Sequence, residues 1–211
     1  MAEVKRIAAL VSGGGTNLQA IIDAIESGKI TNGKLCCVIS SKEDAFALKR
    51  AQKHNIATRV IPRKSYDDVA TYTRAIVNCL EEMEIDLVVY AGFMTILDEQ
   101  IVKAFPNRMM NVHPALIPSF CGKGFYGLHV HEAVLASGVK LTGATVHFVT
   151  EVCDGGPIIM QKAVAVKNGD TPEILQKRVM EECEWDILPT CVSLFCNDKI
   201  VVENGIANII D

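Results

Sequence analysis

An asparagine and a histidine stand two positions apart in the stretch "MMNVHPALIP" (109–118), at the end of an apolar run. Side chains two apart on a strand project from the same face, so Asn111 and His113 would point to one side of a sheet. An imidazole titrates near neutral pH and can act as a general acid, and an amide N–H can stabilise a developing oxyanion. Because histidines beside buried strands are also common structural residues, the pair alone supports both a catalytic and a structural interpretation.

A carboxylate stands further along the chain in "EVCDGGP" (151–157), where Asp154 precedes two glycines. Glycines allow a loop to approach a ligand closely, and a carboxylate can orient a nearby imidazole and favour its protonated form. Asp-Gly-Gly is also typical of a plain turn. Asp154 is therefore a candidate partner of a catalytic histidine, with a turn as the alternative.

A glycine loop, "SGGGTN" (12–17), separates the first predicted strand from the first predicted helix, which Thr16 or Asn17 is expected to cap. Backbone N–H groups at such a junction favour an anion. A dinucleotide fingerprint would need glycine where Leu18 stands and an acidic residue where "SSK" (40–42) stands, and no Gly-Lys-Ser/Thr of a Walker loop follows. The loop predicts a site for a single phosphate, as in a sugar phosphate, and a tight turn is the alternative.

The sequence offers no activated nucleophile beside these groups. It contains no G-x-S-x-G elbow and no cysteine next to His113. His129 and His131 form an H-x-H pair without evident further ligands, so we predict no metal site. A general acid and an oxyanion donor without a nucleophile suit direct attack by a substrate amine on a carbonyl.

Short apolar runs alternate with amphipathic stretches along the chain, which predicts an α/β protein. We expect a Rossmann-like, mostly parallel twisted sheet with helices on both faces and C-terminal antiparallel strands. The predicted strands are 6–12, 34–40, 57–62, 86–93, 108–113, 141–149 and 158–166. The predicted helices follow the glycine loop, cover 44–55, 68–83 and 131–137, and include a long one from Thr171.

Composition limits the classes of partner and compartment. The net charge is −4 and the Lys and Arg residues do not cluster, which argues against a nucleic-acid partner. No apolar run reaches transmembrane length, so we expect no membrane partner. The eight cysteines are scattered without a C-x-x-C motif, which favours a reduced cytoplasm over a disulfide scaffold or a metal site.

Several of these stretches resemble the folate-dependent formyltransferases: "NVHPALIP", with "AGFMTIL" upstream and "DGGP" downstream. Within them, "SGGGTNLQAII" and "TGATVHFVTEVCDGGPIIMQKAV" resemble the branch that acts on 5′-phosphoribosylglycinamide (GAR). The resemblance spans almost the whole chain. It implies the formyltransferase fold and transfer of a formyl group from 10-formyltetrahydrofolate, as co-substrate, to the amine of GAR. That reaction is a step of de novo purine (IMP) biosynthesis and needs no metal.

The resemblance also implies roles for individual residues. It makes Asn111, His113 and Asp154 the catalytic residues. It implies GAR binding, chiefly through the phosphate, by Gly14, Gly15, Thr16, Asn17 and Glu184. It implies folate binding by Met94, Thr95, Ile96, Leu97, Asn111, Val149 and Asp154. We expect one domain over residues 1–211, with a phosphate-binding half (1–105) and a catalytic and folate-binding half (106–211).

The chain departs from the pattern of this family at four places. Thr95 and Val69 stand where relatives have arginines, and Arg63 is a candidate to replace the folate-binding one. "MEECEWD", which contains Glu184, is one residue longer than usual, and "CGKGFYG" extends the loop after Pro118.

Other functions are alternatives. A formyltetrahydrofolate hydrolase is expected to add an N-terminal regulatory domain, and a methionyl-tRNA formyltransferase a basic C-terminal one. A formyltransferase acting on another amine, or a non-catalytic folate or nucleotide-sugar binding module, are further alternatives. We expect only small-molecule substrates and either a monomer or a homodimer.

Overall fold

The structure, a computed structural model, describes residues 3–210. Its strands are β1 (Lys5–Val11), β2 (Gly33–Ser40), β3 (Ala57–Val60), β4 (Leu87–Tyr90), β5 (Met109–His113), β6 (Leu141–Phe148), β7 (Ile158–Ala165), β8 (Ile200–Glu203) and β9 (Ile206–Ile209). Its α-helices are α1 (Thr16–Glu26), α2 (Phe46–Lys53), α3 (Val69–Glu82), α4 (Gln100–Ala104), α5 (Leu128–Ser137), α6 (Pro172–Val179) and α7 (Trp185–Cys196). A 3₁₀ turn spans Arg63–Ser65, and a π-helical turn spans Met180–Glu184.

The first strand shows why an apolar run becomes a central strand. Ile7, Leu10 and Val11 in β1 are fully buried. β1 pairs in parallel with β2 and with β4, and β2 pairs in parallel with β3. A strand with parallel neighbours on both sides and helices over the sheet has no face in water, so it needs a continuous apolar run instead of an alternating one.

Seven strands form one sheet in the order β3-β2-β1-β4-β5-β6-β7, and β8 and β9 form a separate antiparallel pair. β6 and β7 are antiparallel, with Leu141 opposite Ala165 and Val146 opposite Met160. The predicted mostly parallel α/β sheet with C-terminal antiparallel strands is therefore confirmed. The strand order reverses between β1 and β4, and ligands of such sheets bind outside the carboxyl ends of the strands at this point.

Two compact units divide the described part of the chain, and the division falls inside β5, after Met110. The first unit buries apolar side chains of α1 and α3, including Ile21, Ile76 and Leu80. The second buries those of α6 and α7, including Val179 and Leu188. Within residues 3–210, no helix combines the length and the hydropathy that crossing a bilayer requires.

The start of α1 differs from the prediction. Its N-cap is Gly15 in the left-handed region (φ 72°), and Thr16 is already the first helical residue. The predicted cap by Thr16 or Asn17 is therefore wrong. A cap residue needs non-helical backbone angles, and the chain adopts them at the glycine, where a left-handed conformation costs least.

The C-terminal region is the least well predicted part of the fold. The long helix expected from Thr171 is present as α6, the π-helical turn and α7, which follow without a break, and Thr171 caps α6; the π turn inside it was not predicted. The β8–β9 hairpin was not predicted, although Asn204-Gly205 at its turn is a sequence signature of tight hairpins. In the first half of the chain, the strand expected over 86–93 is shorter than predicted and ends at Tyr90.

Candidate active site

Four polar side chains meet in the second unit: Asn111 and His113 from β5, His147 from β6, and Asp154 from the turn between β6 and β7. Both histidines are buried, His113 with 4% and His147 with 2% exposure. Asn111 and His113 were predicted to share a face. Asn111 has a partner in β6, and His113 has partners in the loop after β5 and in the turn between β6 and β7. We refer to these four side chains as the polar cluster.

Asp154 lies between the two histidines. Its Oδ2 is 3.6 Å from Nδ1 of His113, and its Oδ1 is 3.7 Å from Nε2 of His147. The backbone N–H of Gly122 donates to Oδ2 over 2.8 Å. Burial alone would raise the pKa of Asp154, but the His147 imidazole, the Gly122 N–H and the His113 side chain outweigh it and lower the pKa below its ordinary value. The group is therefore a carboxylate at neutral pH.

The Nε2 atom of His113 is a hydrogen-bond donor. Nε2 lies 2.8 Å from the carbonyl oxygen of Phe120, which can only accept, so Nε2 carries a hydrogen. The nitrogen that gains or loses the second ring proton is then Nδ1, and it faces Asp154. A protonated His113 forms an ion pair with this carboxylate.

His147 orients the amide of Asn111 and was not predicted as a site residue. Its Nδ1 donates to the carbonyl of Phe148 over 2.8 Å, so Nε2 is an acceptor when the ring is neutral and a donor when it is protonated. The Asn111 Nδ2 lies 3.2 Å from that Nε2. The neutral His147 therefore holds the amide NH₂ of Asn111 by one N–H, which leaves the second N–H for another acceptor.

The extended loop after Pro118 supplies two backbone groups to the polar cluster. The Phe120 carbonyl accepts from His113, and the Gly122 N–H donates to Asp154. These groups carry no side-chain chemistry, so no sequence pattern could have indicated them.

The turn at Asp154 depends on close backbone packing. Asp154 has φ 53°, and a Cβ on Gly156 would lie 1.8 Å from the carbonyl oxygen of Phe148. Only glycine fits at position 156, because any side chain would collide with the end of β6. The second glycine of "DGG" thus serves the approach of the turn to its own sheet.

The two histidines of the H-x-H pair lie in different surroundings. His129 is exposed and its Nδ1 pairs with Glu132 over 3.1 Å. His131 is fully buried, and neither of its ring nitrogens has a hydrogen-bond partner among residues 3–210. Burial, and then the neighbouring His113, lower the pKa of His131 to about 4, so it is neutral. In that same range no three His, Cys, Asp or Glu residues are grouped to hold a metal ion.

The glycine loop lies in the first unit, at the carboxyl end of β1. The N–H of Ala47 donates to the carbonyl of Gly13 over 3.0 Å, and Nε of Arg50 donates to that of Gly14 over 2.9 Å. In the described part of the chain no acceptor pairs with the amide N–H of Gly13 or Gly14. The two carbonyls are hydrogen-bonded to α2, while these two N–H groups are available, and this arrangement suits the binding of an oxyanion. Gly15, Thr16 and Asn17 continue this loop into α1.

The segment predicted to bind folate follows β4 in the same unit. The N–H of Met94 donates to the Ser12 hydroxyl over 3.0 Å, which places the segment beside the glycine loop at the switch between β1 and β4. Thr95, Ile96 and Leu97 form no backbone–backbone hydrogen bond with any described residue, and Met94 (56%) and Ile96 (75%) are largely exposed. Free backbone groups between exposed apolar side chains suit a flat ring with a polar edge.

The remaining predicted residues lie elsewhere. Glu184 is in the π-helical turn and has 6% exposure, and Val149 follows β6 half-buried. Arg63 donates to the Tyr66 carbonyl over 2.6 Å and lines a cavity of about 480 Å³ in the first unit together with Thr95. Val69, in the place of the family arginine, is the first residue of α3.

Comparison with known proteins identifies a family and several relatives. Residues 5–192 match the Formyl transferase family. Phosphoribosylglycinamide formyltransferase from Escherichia coli is 38% identical over 201 residues, which cover 95% of this chain and 92% of that protein. The trifunctional purine biosynthetic protein adenosine-3 of Bos taurus is 43% identical over 201 residues, but this chain spans only 19% of its length.

A solved structure is similar over the whole chain. The crystal structure of glycinamide ribonucleotide transformylase 1 from Symbiobacterium toebii superposes with a TM-score of 0.94 and 39% identity, covering 100% of this chain and 96% of that one. With the family match over residues 5–192 and the near full-length relative, the chain belongs to the formyl transferase family.

Proposed function

We propose that this chain is a phosphoribosylglycinamide formyltransferase, which transfers the formyl group of 10-formyltetrahydrofolate to the amine of GAR in purine (IMP) biosynthesis. The substrates are inferred from relatives that carry this name and align with nearly the whole chain. The observation that carries the proposal is the polar cluster, in which a carboxylate faces one nitrogen of His113 and a second histidine orients the Asn111 amide.

The proposed reaction needs charge stabilisation on an oxygen. The folate co-substrate supplies an activated formyl group, and attack by the GAR amine on its carbon moves negative charge to the formyl oxygen. We assign the Asn111 amide and the Nε2–H of His113, two side-chain N–H donors of the cluster, to this oxyanion. Donors held in a buried site stabilise developing charge, and the second N–H of Asn111 is available for it.

His113 and Asp154 are the proposed proton-handling pair. One C–N bond forms to the glycinamide nitrogen, one C–N bond to the folate nitrogen breaks, and a proton passes from the first nitrogen to the second. Nε2 of His113 must exchange the Phe120 carbonyl for the reacting group before it can act. Asp154 stays ionised and 3.6 Å from Nδ1, so it balances the charge of an imidazolium throughout.

The other predicted residues take binding roles in this proposal. The loop of Gly14, Gly15, Thr16 and Asn17 receives the GAR phosphate, and the buried Glu184 faces its amine. Segment 94–97 and Val149 bind the folate, together with Asn111 and Asp154. Arg63, which lines the cavity beside Thr95, replaces the family arginine absent at Val69.

The proposal extends to the cellular compartment, the partners and the oligomeric state of the enzyme. A cytoplasmic enzyme is supported by the eight cysteines, all of which are free thiols. The negative net charge supports small molecules as the only substrates, with no nucleic-acid or membrane partner. The enzyme is a monomer or a homodimer.

Incubation with 10-formyltetrahydrofolate, with and without GAR, tests the proposal by following release of tetrahydrofolate. Release that requires GAR, and that is lost in His113→Ala, is the expected result. Release without GAR would indicate the hydrolase instead, and no release under either condition would indicate a binding module. Methionyl-tRNA and free glycinamide, supplied in place of GAR, test other amines.

A further inference from the structure

The Arg50 side chain in α2 contacts the glycine loop, α1 and the start of its own helix. Its Nε donates to the Gly14 carbonyl over 2.9 Å, and its Nη1 donates to Oε1 of Gln19 in α1 over 3.1 Å. The guanidinium carbon lies 5.1 Å from the centre of the Phe46 ring. One half-buried side chain thus connects the loop, the first turn of α1 and the start of α2.

The contact with Gly14 sets the direction of a neighbouring N–H. In a trans peptide the carbonyl of one residue and the N–H of the next point in opposite directions. Arg50 holds the Gly14 carbonyl toward α2, so the N–H of Gly15 points away from α2. The Ala47 N–H holds the Gly13 carbonyl in the same way, and the N–H of Gly14 then points away from α2 as well.

We propose that Arg50 is a positioning residue for the phosphate-binding loop, holding the Gly14–Gly15 peptide so that its N–H faces the phosphate of GAR. This inference rests on the proposed function. It adds to the loop a residue 36 positions away in sequence from Gly14. Ala47 contributes through its backbone N–H, which substitution does not remove, whereas the Arg50 contact is made by the side chain and can be removed by substitution.

Lys49 provides a matched control for the charge of Arg50. It is the preceding residue, carries the same charge, and its Nζ lies 6.0 Å from the centre of the same Phe46 ring. The substitution Lys49→Gln therefore removes an equal charge from the same helix without removing the contact to Gly14.

The experiment compares Arg50→Gln, Arg50→Lys and Lys49→Gln in the full chain. We expect Arg50→Gln to raise the KM for GAR, and the Kd for inorganic phosphate measured by calorimetry, by about tenfold, the effect of one lost hydrogen bond to a charged donor. Its kcat and its KM for the folate should stay within about twofold of wild type, as should every parameter of Lys49→Gln. Arg50→Lys, which can reach Gly14 but cannot also hold Gln19, should fall between Arg50→Gln and wild type.

The outcomes separate this inference from the proposed function. If the wild type neither formylates GAR nor binds phosphate, the proposed function fails. If the wild type does both and Arg50→Gln matches Lys49→Gln, or loses kcat with an unchanged KM for GAR, the role of Arg50 is wrong. Should Arg50→Gln not fold, Arg50→Met, which keeps an apolar stem beside Phe46 but cannot donate to Gly14, decides instead, and a wild-type KM for GAR in that variant would overturn the role.

Discussion

The glycine loop and the polar cluster are built in opposite ways. In the loop, the groups offered to a ligand are backbone N–H groups, and their direction is set by contacts to the carbonyls behind them. In the polar cluster, the groups offered are side chains of Asn111 and His113, and other side chains and two loop backbone groups hold them. The first region offers backbone N–H groups, and the second offers side chains whose residue types carry the chemistry.

The difference predicts where substitutions act. If the loop binds the phosphate as proposed, its backbone N–H groups contact it equally in the ground state and the transition state, so damage to the loop should weaken substrate binding. Donors aimed at developing charge act only in the transition state, so damage to the polar cluster should lower kcat. A mutant of either region in which KM rises and kcat falls by the same factor would contradict this comparison.

The largest effect is expected from His113→Ala. Removing the imidazole removes an oxyanion donor and the proton-handling group, so kcat should fall by roughly 10²–10⁴-fold. The KM values for GAR and folate should change by only a few-fold, because the loop is intact. Steady-state kinetics measures both, and a folded variant with near-normal kcat would remove His113 from the chemistry.

The next effect is expected from Gly15→Val. Gly15 has φ 72°, and its added Cβ would lie 2.6 Å from the Cβ of Ala47, so the loop must move. Strain of this kind should raise the KM for GAR by about 10–100-fold, with the KM for folate nearly unchanged. Gly14→Ala is the milder companion, since its Cβ meets nothing within 4 Å in the protein. Loss of folate binding instead would place the phosphate elsewhere.

His147→Phe tests whether His147 positions the Asn111 amide in the polar cluster. Phenylalanine retains the ring but removes the acceptor for Asn111 and the donor to Phe148. We expect kcat to fall by about tenfold, the cost of one lost orienting hydrogen bond, with unchanged KM for GAR. The exposed His129→Phe is the control and should behave as wild type. Equal kinetics of the two variants would show that His147 does not position Asn111.

The smallest effect on catalysis is expected from His131→Phe, which changes stability instead. The pKa of His131 is lowered to about 4 from the ordinary 6.5. The unfolded chain therefore takes up this proton more readily, and the folded protein loses stability as pH falls from about 7 to 4, by at most about 3 kcal/mol. His131→Phe should lose less stability over that window. Urea unfolding at pH 7 and pH 4.5 measures the difference, and parallel losses in both proteins would contradict it.

The sequence indicated the glycine loop and the Asn-x-His pair, but not the residues that hold them in position. The glycine loop and the Asn-x-His pair are each contained in a few consecutive residues, so their chemistry can be recognised locally. Arg50 and His147 each act on a residue 36 positions away, and only the packing of α2 on the loop, and of β6 beside β5, brings them there. No local pattern contains that information.

Prediction of the fold followed the same division between local and non-local information. Buried strands and amphipathic helices carry their periodicity in the sequence, and their order was predicted well. The left-handed cap at Gly15 and the turn closed by Gly156 depend on what lies against them, Ala47 in one case and Phe148 in the other. The hydrophobic periodicity of the sequence does not indicate such contacts.

The π-helical turn has a consequence for how this chain tolerates changes in length. Inserting one residue into an α-helix rotates everything beyond it by about 100° and would turn a buried stripe toward solvent. A π turn closes its hydrogen bonds one residue later and takes up that residue locally. Val179 before Met180–Glu184 and Leu188 after it are both buried, so α6 and α7 each turn apolar residues to the core across the π turn. The π turn would accommodate the extra residue that we expect in "MEECEWD", and deleting a single residue there should restore a continuous α-helix with the same side facing the core.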